Sequence, residues 1–238
     1  MSSIQIPRIK FTKMIDHSIL KQTLTQQDTI GGLEIAMEYN VAAATIKPCY
    51  TKLAAKLLNG TGVLVNPVIC FPNGYDTSIT KANATKQALD EGADEIDIVL
   101  NLGALLGGEF DYVRDDISTV VEAAQGAPVK VILETGLIRD MNMIVRACQI
   151  CESAGARFVK TSTGFCDSPY KNKYGETVGY TTEILKLMRA SVSDKVQVKA
   201  AQGVRRLEDA LEVIALGVTR FGVSQTVNLM REFDAYFN

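Results

Sequence analysis

Tryptophan is absent from the 238 residues, and histidine occurs once, as His17. A single imidazole excludes a histidine-rich zinc or iron site, so no metal is expected. Cysteine is sparse: Cys49, Cys70, Cys148, Cys151 and Cys166 are odd in number and lack the spacing of a disulfide framework. Reduced thiols in the cytoplasm are the expected state. Cys148 and Cys151 form a C-x-x-C, but inside an amphipathic stretch rather than at a helix start, which argues against a redox pair. A surplus of one charge is missing too. Lys and Arg total 25 against 27 Asp and Glu, a net charge of −2, with a pI near 5.6. The bulk basic charge of a duplex-binding protein is therefore lacking, and no nucleic-acid partner is expected. No apolar run approaches the ~18 residues of a membrane span. The opening Met1-Ser2-Ser3-Ile4-Gln5-Ile6-Pro7-Arg8 has no continuous apolar core, so no signal peptide is expected. Linkers and low-complexity tracts are likewise missing, which leaves residues 1–238 as one domain.

What is present is a rhythm. Short β-branched runs alternate with longer amphipathic ones. Strands are predicted over 13–16, 41–46, 63–69, 94–100, 129–133, 157–161, 196–199 and 220–223. Helices are predicted over 26–39, 50–58, 78–90, 110–124, 142–153, 181–190, 207–215 and 227–236. Gly60, Gly92, Gly126, Gly155 and Gly217 follow helices, where a left-handed stop is usual. Strand starts recur about every 30 residues, the βαβ spacing. Eight such units predict a (β/α)8 TIM barrel. The alternative is a doubly wound sheet, weakened because no G-x-G-x-x-G follows an early strand.

Strands of a parallel barrel are buried on both faces and should be apolar. Several of these strands carry charge nonetheless, and four of them place it in a pattern that points to chemistry. In Glu95-Ile96-Asp97-Ile98-Val99-Leu100, the apolar face holds Ile96, Ile98 and Leu100, so Asp97 should point inward. Phe158 and Lys160 share a face, as do Gln197 and Lys199. Asp16 lies near the end of the first predicted strand. Lys160 and Lys199 stand at strand C-termini, where barrel sites are built. Two readings follow. One is a structural ion-pair network. The other is a reactive amine: two ammonium groups at ~5 Å and an effective dielectric of ~20 repel by roughly 3 kcal/mol. That is about two pKa units, and burial adds to it. A lysine so treated can be neutral near pH 7 and attack a carbonyl.

These segments resemble a known family. Asp16-His17-Ser18-Ile19-Leu20, Phe71-Pro72-Asn73-Gly74, Asp94 to Val99, Leu133-Glu134-Thr135-Gly136, Phe158 to Phe165 and Val198-Lys199-Ala200-Ala201 resemble, in family order, the deoxyribose-phosphate aldolases. Those are class I aldolases with a (β/α)8 barrel. The resemblance implies Lys160 as the Schiff-base lysine and Lys199 as the lysine that depresses its pKa. It implies Asp97 in proton relay and Asp16 at the floor of the site. It implies acetaldehyde and glyceraldehyde 3-phosphate as the aldehydes, with 2-deoxyribose 5-phosphate as the condensed sugar. No cofactor is implied.

The chain departs from the family pattern in several places. Gln202 replaces the first glycine of a Gly-Gly pair, leaving Gly203. Ser224-Gln225 replaces Ser-Ser after strand eight. Thr45 and Lys47 replace a cysteine and an asparagine in the run of strand two, and alternation puts both inward. Asp16, Thr45, Lys47, Thr161, Gly203 and Ser224 are the expected substrate contacts. Gln202, Gln225 and Lys47 keep open a related class I aldolase with a non-phosphorylated or acidic substrate. The loop at 166–175 is long, and is expected either to act as a lid that carries Lys171 or Lys173 to an anionic substrate, or to be a solvated surface loop or a subunit contact. His17 is expected to bond structurally, and a homodimer is the expected assembly.

Overall fold

The computed structural model describes residues 5–237; the Met1-Ser2-Ser3-Ile4 start of the segment read for a signal peptide lies outside them. Eight parallel strands close a barrel in sequence order: β1 (Ile15–Ile19), β2 (Ala43–Ile46), β3 (Leu64–Ile69), β4 (Ile96–Val99), β5 (Val129–Ile132), β6 (Phe158–Lys160), β7 (Gln197–Ala200) and β8 (Arg220–Val223). The barrel expected from the spacing is the one observed. The helices are α1 (Arg8–Thr12), α2 (Gln26–Glu38), α3 (Thr51–Leu58), α4 (Ser78–Asp90), α5 (Leu102–Leu106), α6 (Phe110–Ala123), α7 (Met141–Ser153), α8 (Thr182–Ala190), α9 (Leu207–Ala215) and α10 (Thr226–Phe237).

The apolar core follows strand alternation. Ile15 and Ile19, Ile96 and Ile98, Val129 and Val131, Val198 and Ala200, and Phe221 and Val223 join one buried cluster with the inner faces of the helices. The alternate positions point into the barrel. They include Asp16, Asn66, Asp97, Lys130, Lys160, Lys199 and Arg220. Strand order and parity alone therefore gather charge inside.

All five helix-ending glycines adopt positive φ. Two short helices were not foreseen: α1 and α5 span five residues each, too few to show a helical period. The first strand is also displaced. It was expected at 13–16 and runs from Ile15 to Ile19, because Lys13 caps α1 and ties its ammonium to Asn40, Val41 and Gly62. Asp16 is thus near the start of β1, deep in the barrel.

Candidate active site

Asp97, on β4, sits at the centre of the buried charges. Its Oδ2 accepts from Lys160 Nζ at 2.7 Å and from Lys199 Nζ at 2.9 Å. Its Oδ1 accepts from Asn66 Nδ2 at 3.0 Å and lies 3.3 Å from Lys130 Nζ. Lys199 also pairs with Asp16 at 2.6 Å. Asp16 in turn accepts from Arg220 Nε at 2.7 Å. Glu95, just before β4, is 2.6 Å from both Lys130 and Arg220. Strand register creates this arrangement: Lys160 lies opposite Lys199, Lys199 opposite Arg220, and Asp97 opposite Lys130.

The two lysines bonded to Asp97 are not equivalent. Burial disfavours the ammonium of Lys160; Asp97 opposes this, Lys199 adds repulsion, and the amine is brought down to about 8. Burial alone would also lower Lys199, but Asp16 and Asp97 outweigh it and its pKa is raised. Two carboxylates hold Lys199 as an ammonium, whereas Lys160 contacts one. Repulsion between the lysines was the expected leading cause; burial is the larger one. Asp97 is resisted by its own burial, yet Lys160, Lys199 and Lys130 drive it well below the usual carboxylate range. Burial would likewise raise Asp16, but Arg220, Lys199 and Lys130 bring it to about 2.

Above this network opens a cavity of about 320 Å³, lined by Lys160 with Ser18, Lys21, Thr163, Phe165, Gln202, Gly203, Arg205 and Ser224 among others. Lys160 is the one member of the Asp97 network on that lining. In its neutral form, and aimed at a water-accessible space, its amine can attack a carbonyl, with a carboxylate and a second ammonium adjoining for proton transfer.

The family model of the DeoC/LacD family aldolases matches residues 11–225. This chain belongs to that family. Deoxyribose-phosphate aldolase 1 of Staphylococcus aureus (strain N315) is 45% identical over 229 residues, 95% of this chain and 98% of that protein. A Coccidioides immitis structure assigned as a deoxyribose-phosphate aldolase superposes with a TM-score of 0.88 at 32% identity, over 96% of this chain and 87% of that one. The deoxyribose phosphate aldolase of Aeropyrum pernix, described as a tetramer, gives a TM-score of 0.83 at 28% identity, over 97% and 93%. The resemblance drawn from motifs is borne out, and the chain is an aldolase, a carbon–carbon lyase.

Within this aldolase the other expected contacts divide. Gly203 and Ser224 line the Lys160 cavity. Gly203 leaves no room for a side chain, since a Cβ there would meet the Tyr180 ring at 2.9 Å. Thr45 points inward and accepts from Asn66 at 3.0 Å, so it holds the amide that holds Asp97. Thr161 bridges β6 to β7, donating to the Ala201 carbonyl and accepting from the Ala201 amide; its hydroxyl is used within the fold. Lys47 is not brought to the network. β2 ends at Ile46, the chain turns at Pro48, and the ammonium donates to Leu24 O at 2.7 Å over the Tyr50 ring. It lines a neighbouring cavity, behind Phe165 and Phe71.

The loop after β6 does not carry lysines to the cavity. Lys171 pairs with Thr177 across a short antiparallel bridge, and Lys173 meets Glu208 of α9 at 2.6 Å. Glu176 forms a two-point pair with Arg206. This segment is a hairpin docked on the start of α9. His17 alternates with Asp16 and faces outward, its Nδ1 2.8 Å from Thr226 Oγ1.

Two cations of the network, Lys130 and Arg220, were missed from the sequence although alternation marks both. Val129-Lys130-Val131 and Arg220-Phe221-Gly222-Val223 each put a cation opposite an apolar face, the signal that found Asp97. Lys21 carried no such signal, because it lies in a loop beyond β1.

Proposed function

We propose that the protein is a deoxyribose-phosphate aldolase of the Schiff-base type, cleaving 2-deoxy-D-ribose 5-phosphate reversibly to acetaldehyde and D-glyceraldehyde 3-phosphate. The observation that carries this is the place of Lys160: a buried amine with a lowered pKa, hydrogen-bonded to Asp97 and facing the cavity. In the synthetic direction the Lys160 nitrogen attacks the acetaldehyde carbonyl carbon. Loss of water leaves an iminium ion, whose positive nitrogen is the electron sink. A base in the Asp97–Lys199 pair, directly or through water, takes a proton from the adjoining methyl carbon and gives the enamine. The enamine carbon attacks the acceptor aldehyde, whose oxygen takes a proton. Hydrolysis then frees Lys160 and the sugar. The iminium does the work a metal would do as Lewis acid, so the route is metal-independent.

The phosphate end is assigned to the rim formed by Lys21, the Gly203 and Val204 backbone and Ser224 before α10. A helix start and a cationic side chain suit a dianion. Lys21 is exposed and its ammonium makes no hydrogen bond or ion pair among the described residues, whereas Arg205 is engaged with Thr177 O and Glu176. A cytoplasmic location is part of the proposal, supported by five free cysteines, as is a homodimer, checked by light scattering.

The test is borohydride trapping in the presence of acetaldehyde. The expected result is one reduced adduct, mapped to Lys160, and a loss of about a thousandfold or more in turnover in Lys160→Ala. An unlabelled protein, or a variant with normal turnover, rejects the assignment. Cleavage of free deoxyribose at the rate of its 5-phosphate would instead favour a related aldolase for a non-phosphorylated substrate.

A further inference from the structure

Gln202 lies three residues beyond Lys199, and its backbone sits at φ 62°. That is the left-handed region, where a Cβ is disfavoured and glycine is the usual occupant. The side chain turns to the loop after β6, where Nε2 donates to Cys166 O at 3.3 Å. A carbonyl only accepts, so this bond fixes the amide with Nε2 toward Cys166 and Oε1 away from it. Oε1 is buried, and no described residue donates to it. A buried acceptor without a donor is destabilising. Within the chain, this side chain carries a strained backbone and an unmatched oxygen in return for one long hydrogen bond. Gln202 is only partly buried and lines the cavity together with Lys160, so a turn of its side chain presents Oε1 to a donor there, and both costs are then accounted for.

The chemistry of that donor is restricted. A phosphate dianion offers oxygen acceptors only and is repelled by an amide oxygen. An aldehyde carbonyl has no donor either. A hydroxyl has one. In the aldol product on which this rests, carbon 1 is joined to Lys160 and the oxygen on carbon 3 takes part in the reaction. Carbon 5 bears the phosphate. The hydroxyl on carbon 4, which comes from the acceptor aldehyde, is the donor that remains. We propose that Gln202 Oε1 accepts a hydrogen bond from this hydroxyl, and that Gln202 makes the enzyme selective for α-hydroxy aldehydes as acceptors.

The test compares two acceptors with acetaldehyde as donor: D-glyceraldehyde 3-phosphate, and 3-oxopropyl phosphate, which lacks only the hydroxyl. The kcat/KM is read for each in wild type, Gln202→Met and Gln202→Gly. Wild type prefers the hydroxylated acceptor. Both variants lose about three- to tenfold on it, the worth of one neutral hydrogen bond, and less than twofold on the other. Met keeps the left-handed strain and Gly removes it, so agreement between them assigns the effect to the oxygen. An equal fall on both acceptors overturns the proposal, because the side chain then merely holds the Cys166 loop; no change on either overturns it as well. Trapping of acetaldehyde on Lys160 needs no acceptor. Wild-type enzyme that is trapped yet treats both acceptors alike refutes the role of Gln202 alone. Enzyme that is not trapped refutes the aldolase assignment, and this one with it.

Discussion

His17 shows how one position decides between chemistry and packing. It is the neighbour of Asp16 on β1, and strand alternation sends it to the opposite face. There it meets Thr226 at the start of α10, away from Lys160. Burial lowers its pKa to about 4, so the folded protein holds it neutral. In the unfolded chain the same group protonates near pH 6.5. Between those values the unfolded chain binds a proton that the folded one refuses. The stability is fully present above about pH 6.5 and is lost as pH falls toward about 4. A depression of that size amounts to about 3 kcal/mol. Denaturant unfolding of wild type should therefore show a loss of that order between neutral pH and about pH 4. His17→Asn should lack this component of the slope while keeping wild-type turnover at neutral pH. Parallel stability curves for the two proteins would mean that the imidazole is not held neutral.

Among the elements, the βα loops divide the work. Loops after β1, β7 and β8 contribute Lys21, Gly203 and Ser224 to the Lys160 cavity. The loop after β6 places its two lysines elsewhere, on Thr177 and Glu208. Lys21→Met should raise KM for deoxyribose 5-phosphate about tenfold, as expected for one partly solvated charge–phosphate contact. The effect should shrink as salt rises. The double variant Lys171→Ala/Lys173→Ala should stay within about twofold. Steady-state kinetics on the three proteins decides it; a larger effect in the double variant would return the hairpin to the phosphate site. The strands were legible in advance because period-two alternation is local, and Asp97, Lys160 and Lys199 came from it directly. Lys130 and Arg220 obey the same rule. Lys47 was misplaced because alternation was carried past Ile46, where the strand stops and Pro48 turns the chain. The hairpin was illegible for another reason. Its partners Arg206 and Glu208 lie about 30 residues further on, and no local pattern announces such a contact. The left-handed backbone of Gln202 was hidden in the same way: the residue type argues against it, and only the barrel imposes it.

Over the whole molecule, the barrel interior is a balance of buried charge. Asp16, Glu95 and Asp97 supply three carboxylates, and Lys130, Lys160, Lys199 and Arg220 supply four cationic groups. If all are ionised, one positive charge is unmatched in a low-dielectric space, which is costly. A neutral amine at Lys160 leaves three against three. With its pKa near 8, about a tenth of Lys160 is neutral at pH 7, and the fraction rises through pH 8. The acid limb of kcat/KM should follow it. Lys130 is the place to disturb this balance without touching the reacting amine. In Lys130→Met, Glu95 keeps Arg220, and Asp97 loses a cation at Oδ1. Asp97 then attracts the Lys160 proton more strongly, and the limb should move up by about one pH unit. Activity at pH 7 should fall about tenfold and return toward wild type above about pH 9, with the rate of borohydride trapping shifting in parallel. Circular dichroism must show the variant folded, since breaking a buried pair can cost about 3–5 kcal/mol. A folded variant whose activity falls by one factor at every pH would show that Lys130 only holds Asp97 in place. The reactivity of Lys160 would then be set by its own burial and its nearest partners rather than by the charge balance of the whole barrel.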